Sequence, residues 1–259
     1  VSAESQELFF EGYAFASLYD QITSTMDIAK ERLPELLAAP GQAGLVVARS
    51  QSHGRGRQGR SWISEQGAFM GTFIFSAPGP VAMLSGYSLA VGVAVADCMR
   101  SAGASVRLKW PNDLVYVAQG ELRKVGGILV EVQELAGMNV LLVGLGLNLS
   151  SSPQDVPHAV SWQELSGNQV NFDWVVKQLA QALLSGHRRF MGGHGLRTFS
   201  SEWESLSAFV EGQTVLTLDC GTESICGTYQ GIDESGALLV SVAGERRAVH
   251  SAHILAVVL

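Results

Sequence analysis

Gly54-Arg55-Gly56-Arg57-Gln58-Gly59-Arg60-Ser61-Trp62, GRGRQGRSW, opens with the spacing G-x-G-x-x-G. In a dinucleotide-binding fold those glycines follow a strand and open a helix, and an acid about 20 residues on holds the ribose. Here the apolar run Leu45 to Ala48 supplies the strand. The segment that follows, SWISEQGAFMGTFIF, is short, is broken by two glycines and turns strand-like, and residues 70–82 hold no Asp or Glu. The dinucleotide reading fails on its context, and the P-loop pattern G-x-x-x-x-G-K-[ST] occurs nowhere. What remains is an arginine loop interrupted by glycines. Glycines let backbone N–H groups approach a ligand, and arginines offer fixed charge and paired hydrogen bonds to phosphate or carboxylate. By itself the loop leaves an anion site and a solvated surface loop equally open.

The rest of the chain narrows the choice. Its 259 residues allow one large domain, or one large and one small. With 47% hydrophobic and 16% charged residues there is ample material for a core. Lys and Arg total 17 against 24 Asp and Glu, a net charge of −7, which argues against a nucleic-acid coat and confines any anion site to a local basic cluster. Cys98, Cys220 and Cys226 are odd in number and form no C-x-x-C pair, as expected of reduced thiols in the cytoplasm. No signal peptide is visible at the start. The apolar run Met83 to Ala102 carries Asp97 and Arg100 and ends at Gly103, which reads as a buried core helix and not a membrane span.

Periodicity predicts helices over residues 24–39, 83–102 and 171–189. In the last, Phe172, Val175, Val176, Leu179, Leu183 and Leu184 line one face. Strands are predicted at 45–48, 69–76, 106–108, 115–117, 128–132 and 140–143. Beyond Trp203 come TVLTLDC, SICGTYQGI, GALLVSV, RRAVH and ILAVV, separated by turn signals, which suggest a small β-barrel or sandwich. A boundary near residue 206 divides the chain into 1–205 and 206–259.

Two further stretches bear on chemistry. KWPNDL sets Lys109, Asn112 and Asp113 around a proline that forbids regular helix; as an ordinary turn it needs no ligand. RKVGGILVE puts Arg123 and Lys124 before a strand, where a lone lysine is usually solvated. Taken together and in order, GRGRQGRSW, KWPNDL, RKVGGILVE and VGLGLNL, followed by EWESLSAFVEGQTVLTL and GTYQGIDESGALLV, resemble the biotin protein ligases from about Ser24 to the end of the chain.

That resemblance implies an α+β fold: a mixed β-sheet with flanking helices, like the catalytic domain of class II aminoacyl-tRNA synthetases, plus a small C-terminal SH3-like β-barrel. It implies ATP with Mg2+, and biotin as the substrate, activated to biotinyl-5′-AMP and passed to a lysine of the biotin carboxyl carrier protein. The stretch before Ser24 is too short for the winged helix that some members carry, so the monofunctional form without DNA binding is expected. By the family's pattern Arg57, Lys109, Asp113 and Lys124 carry the catalysis. Ser24, Thr25, Gln51, Gly54, Arg55, Gly56, Arg57, Lys124, Gly126, Gly127 and Gly144 hold biotin, with Gly146 beside them. Arg57, Arg60, Trp62, Lys109, Asn112 and Asn148 hold ATP or the adenylate, Asn148 at the adenine. Metal ligands are unassigned. Thr23, His53 and Met26 depart from the pattern, and His53 reads as an exposed loop residue.

The expected partner is the carrier protein or a carboxylase biotin domain, with no nucleic acid and no membrane; a sheet edge leaves pairing with a second copy, as a homodimer, open. A lipoate- or octanoate-attaching relative and a non-catalytic binding module are the competing readings. His250 and His253 form H-x-x-H without a third ligand nearby, a poor metal site. His187 and His194 read as surface residues, and Cys98 as a packed small hydrophobe.

Overall fold

The computed structural model describes residues 4–63, 66–153, 155–156 and 158–259. Its first strands are β1 (Ser5–Glu7), β2 (Tyr13–Ile22) and β3 (Ala43–Gln51), with α1 (Thr25–Glu31) and α2 (Leu33–Leu37) between the last two. Strand β4 (Ala68–Ala77) leads to α3 (Tyr87–Ser101). Then come β5 (Arg107–Lys109), β6 (Asp113–Ala118), β7 (Glu121–Leu135) and β8 (Met138–Asn148). These eight strands form one mixed sheet, ordered β1-β2-β3-β4-β8-β7-β6-β5, with β2 and β3 parallel. Helices α4 (Trp162–Ser166), α5 (Phe172–Met191) and α6 (Ser200–Leu206) follow. The last strands are β9 (Val215–Asp219), β10 (Ser224–Ile232), β11 (Leu238–Val242), β12 (Glu245–Val249) and β13 (His253–Val258). They make an antiparallel sheet ordered β12-β11-β10-β9-β13, as expected of the SH3-like unit.

Strand parity sets the layers. On β3, Leu45 and Val47 point one way, Val46 and Ala48 the other, and all four are fully buried. A strand buried on both faces needs cover on both. Leu45 and Val47 join the larger core with Val95 of α3 and Leu179 of α5. Val46 and Ala48 join a smaller core with Met26, Ala29, Leu33 and Leu36 of α1 and α2. The larger core runs on into Leu216, Leu218, Leu238 and Val240 of the second sheet. Val81–Ser101 has the length and hydropathy of a membrane span, but 56% of that window is buried, and α3 contributes Leu89, Val93 and Met99 to the core.

Several boundaries differ from expectation. The helix predicted over 24–39 breaks at Arg32, because Pro34 lacks the N–H that a continuous helix needs and instead sits in the first turn of α2. The helix predicted from 83 starts at Tyr87, after Gly86 at φ 74°. Strand β2 escaped the sequence reading, as did α4 and α6, and β7 runs 15 residues where five were expected. Charged residues along it, half-buried Glu131 and exposed Glu134 among them, hide the strand pattern.

His187 is not a surface residue. Its ring stacks on Phe75 with centroids 4.5 Å apart. Nδ1 accepts from the Tyr87 hydroxyl at 2.9 Å, and Nε2–H donates to the Ser76 carbonyl at 3.2 Å. Burial keeps the ring neutral by pushing its pKa down to about 4, and the neutral ring with its proton on Nε2 satisfies both bonds. The unfolded chain therefore binds the proton first. Stability from this group is complete above the ordinary histidine value and is lost as pH falls toward 4, by about 3 kcal/mol at most. Urea unfolding of wild type and His187→Gln between pH 4 and 7.5 should show this slope in wild type only. Parallel curves would remove His187 as its source. His194 and His53 are exposed, and all three cysteines are free, with the Cys98 thiol raised to about 11 by burial.

Candidate active site

The cavity is made by an i, i+2 pattern that runs out of side chains. On one face of β8, Val140 and Leu142 pack beneath α1 and α2 in the smaller core. The next two positions on that face are Gly144 and Gly146. On β4, Ile74, Thr72 and Met70 follow the same face outward. Beyond the end of α1 the glycines leave a cavity of about 190 Å³. Trp62 lies over it: a Cβ on Gly146 would stand 2.5 Å from the indole Cε2, and one on Gly127 3.4 Å from its Cζ3. The indole N–H has no acceptor among the described residues.

Pairing places the ionic groups. Lys109 is opposite Asp113, Asp113 opposite Gly127, Gly127 opposite Gly146, and Gly146 opposite Met70, a single row across five strands. An unbroken β7 would send residues 124 and 127 to opposite faces. Between the pairs Leu114–Gly126 and Val115–Lys124, however, the register shifts and Val125 is extra. The bulge returns Lys124 to the cavity side, as bulges beside active sites do. Its Nζ sits 2.6 Å from Asp113 Oδ1 and 5.7 Å from the Trp62 ring centroid. Its backbone is held from the far side: Lys124 N–H donates to the His158 carbonyl at 2.5 Å, and Val160 N–H to the Lys124 carbonyl at 2.9 Å.

At the other end Ser24 stands at the N-cap of α1, but its hydroxyl makes no cap bond and the residue lines the cavity. Gln51 Oε1 accepts from Thr25 N at 2.6 Å and from Thr25 Oγ1 at 3.0 Å, and the buried Thr72 hydroxyl donates to Thr25 Oγ1 at 2.9 Å. This end can therefore donate and accept, and Met26, Met70 and Leu129 line the apolar stretch before the cations.

The arginine loop is a tight hairpin. Gly56 N–H donates to Arg60 O, Trp62 N–H donates to Gly54 O, and Arg55 bridges Ser61. Gly54 is needed because a Cβ there would stand 2.6 Å from the Trp62 carbonyl, and Gly59 because its φ is 73°. Arg55 pairs with Asp27 of α1. Arg57 donates to Asn112 Oδ1 and Ser251 Oγ, each at 3.4 Å, and Arg60 faces His253 Nδ1 at 3.4 Å. Among the described residues five cations line the cavity, Arg55, Arg57, Arg60, Lys109 and Lys124, against one carboxylate, Asp113. Burial pulls the pKa of both Arg57 and Lys109 down, so an incoming anion is favoured there.

Most of the residues singled out in the sequence meet at this cavity: Ser24, Thr25, Gln51, Arg55, Gly56, Arg57, Arg60, Trp62, Lys109, Asn112, Asp113, Lys124, Gly127, Gly144 and Gly146. Three do not line it. Gly54 serves the hairpin. A Cβ on Gly126 would meet Leu147 Cδ2 at 2.4 Å and Gly146 O at 2.7 Å, a strand-packing need. Asn148 is buried, and its amide N–H groups reach the carbonyls of Val160 at 3.2 Å and Lys124 at 3.4 Å. Asn112 likewise donates to Ile128 O at 2.7 Å. The sequence reading missed Met70, Thr72 and the C-terminal contributors Ala252, His253 and Ile254. Thr72 alone left a sign, a hydroxyl inside the apolar run FMGTFIF. His250 and His253 open on different cavities, and no group of three or more metal-ligating side chains occurs among the described residues.

Comparison with known proteins identifies the family. The model of the biotin/lipoate A/B protein ligase family matches residues 18–148. The bifunctional ligase/repressor BirA of Escherichia coli K12 is 34% identical over 236 residues, covering 86% of this chain and 68% of that protein. A biotin–[acetyl-CoA-carboxylase] ligase of Paracoccus denitrificans is 29% identical over 231 residues, covering 85% and 93%. The Aquifex aeolicus biotin protein ligase solved with biotin and ATP superposes with a TM-score of 0.72 at 25% identity, covering 93% of this chain and 97% of that one. The chain belongs to the biotin/lipoate A/B protein ligase family.

Proposed function

We propose that the chain is an ATP-dependent biotin ligase. It condenses biotin with ATP to biotinyl-5′-AMP and pyrophosphate, then passes the biotinyl group to a lysine of a carboxylase biotin-carrier domain, releasing AMP. The observation that carries this reading is one cavity with three zones in line: a hydrogen-bonding end at Ser24, Thr25 and Gln51, an apolar middle, and a cationic end. The first zone suits a ureido head, the second a thioether ring and alkyl chain, the third a carboxylate beside phosphate.

In the first step a carboxylate oxygen attacks the α-phosphorus and the bond to pyrophosphate breaks. Two anions must meet, so positioned positive charge does most of the work. Lys124 takes the biotin carboxylate and the non-bridging oxygens of the α-phosphate. Arg57 lies over the same oxygens, and Arg60 and Lys109 take the leaving group. Asp113 orients Lys124 and is the cavity carboxylate, among the described residues, near the attacking amine of the second step. There the neutral acceptor Nζ attacks the acyl carbon, the bond to AMP breaks and a proton is released. Trp62 covers the nucleotide, its indole N–H being free to donate. Asn112 and Asn148 act through strands, holding β7 and the backbone of Lys124. Mg2+ enters as MgATP: among the described residues the cavity offers one carboxylate, already paired, and Mg2+ keeps phosphate and water ligands readily. We place the division between catalytic and C-terminal units near residue 206, and the reaction in the cytoplasm, where ATP is supplied.

The test is direct. With biotin, MgATP and a carrier domain, mass spectrometry should show one biotinyl adduct on the carrier, and biotin should drive ATP–pyrophosphate exchange. Absence of both sinks the proposal; lipoate or octanoate working in place of biotin selects the other branch of the family.

A further inference from the structure

His253, the first residue of β13, reaches the cavity from the C-terminal sheet. No other ionisable side chain of that sheet lines it. Its Nδ1 lies 3.4 Å from Arg60 Nη1. Arginine is always protonated and only donates, so in this contact Nδ1 accepts and the imidazole is neutral. The charged groups around it are Arg60 of the hairpin, Lys109 of β5, Asp113 of β6 and Asp219 of β9, which pairs with it in register. Burial, Arg60 and Lys109 act together to lower its pKa, and the two aspartates only partly oppose them.

We propose that His253 is a proton-coupled ligand of the ATP polyphosphate: neutral in the empty cavity, where it parks Arg60, and protonated when the phosphates enter. This rests on the ligase reading for the identity of the polyphosphate. The polyphosphate brings several negative charges between Arg60, Lys109 and His253, which reverses the local field and favours the imidazolium. A protonated ring can no longer accept from Arg60, so Arg60 turns to the phosphates and His253 follows as a second donor. The catalytic cavity thereby draws a ligand from the C-terminal unit, and ATP binding takes up a proton.

Linkage gives the signs. Proton uptake on binding means that ATP binds more tightly at lower pH, with affinity falling as pH rises through the bound-state pKa. Calorimetry of ATP binding in two buffers of different ionisation enthalpy at pH 7 should show net proton uptake in wild type that exceeds that of His253→Gln. The same variant should weaken ATP about tenfold at pH 6.5, one pKa unit of coupling, and less than about twofold at pH 9. Its KM for ATP in exchange assays should lose most of the pH dependence seen in wild type, while KM for biotin stays level. Equal proton uptake and parallel pH profiles in the two proteins overturn the inference. ATP bound with proton uptake that needs His253, but without biotin-dependent exchange, keeps the site and sinks the ligase reading. Failure of ATP to bind at all overturns both.

Discussion

Lys124→Ala lowers biotin-dependent ATP–pyrophosphate exchange by about 10²–10³-fold, the usual cost of removing one group that stabilises developing charge, and leaves the fold almost untouched. The two halves of this expectation have different physical sources. For stability, the side chain is 40% exposed and its partner Asp113 20%. Such a pair contributes about 0–1 kcal/mol, which moves the thermal midpoint by only a few degrees. The strand does not depend on the side chain, because both the N–H and the C=O of Lys124 are bonded to the backbone of the neighbouring segment, at His158 and Val160. For catalysis, the same ammonium is the cation placed between the Asp113 carboxylate and the apolar part of the cavity, where the biotin carboxylate must meet phosphate. Lys124→Arg keeps the charge and should still fail largely, because a planar guanidinium cannot reproduce the compact point donor that sits 2.6 Å from Asp113 Oδ1. A thermal melt beside the exchange assay reads both halves. Near-normal exchange in Lys124→Ala takes Lys124 out of the chemistry. Transfer from preformed biotinyl-5′-AMP to the carrier should suffer less than exchange, which separates the first step from the second.

The legible and illegible parts of this site divide by range. GRGRQGRSW, KWPNDL and RKVGGILVE each show their residue types locally, and the failure of the dinucleotide reading was visible in the missing helix and acid. The C-terminal strands were equally plain, because short runs between turn signals need no tertiary information. Three things were hidden. The Val125 bulge turns Lys124 to the cavity, and a one-residue slip is a property of pairing that no single strand spells out. His253 is nearly two hundred positions from the arginine it faces, and only the fold joins them. The runs β2 and β7 were missed or shortened because burial on both faces, or on half-faces, removes the alternation that marks a strand. Asn148 and Gly126 were drawn toward the ligand by motif, yet the structure spends them on backbone: one ties β7 to the segment after β8, the other lets β8 pass.

That last distinction gives the second large effect, because Gly126 and Gly127 are neighbours with opposite reasons to be glycine. Gly126→Ala puts a methyl 2.4 Å from Leu147 Cδ2 and 2.7 Å from the Gly146 carbonyl oxygen. Leu147 is fully buried, and the carbonyl belongs to the sheet ladder, so neither can give way cheaply. The strands must part, and overpacking of this kind costs about 1–3 kcal/mol, more where backbone has to move. Gly127→Ala meets only the ends of long side chains: Lys124 Nζ at 3.3 Å, Lys124 Cε and Trp62 Cζ3 at 3.4 Å. Those can shift by a few tenths of an ångström, and alanine restricts the unfolded chain, so stability should stay within about 0.5 kcal/mol of wild type. What shifts, though, is the ammonium and the indole. Misplacing positioned groups by even part of an ångström is expensive in rate, so kcat/KM should fall by about 10–100-fold. Denaturant unfolding and steady-state exchange on the two variants therefore give crossed results: Gly126→Ala loses stability and keeps much of its activity per folded molecule, Gly127→Ala the reverse. A Gly126→Ala protein that melts like wild type but no longer binds biotin would return that glycine to the ligand site, where its motif had placed it.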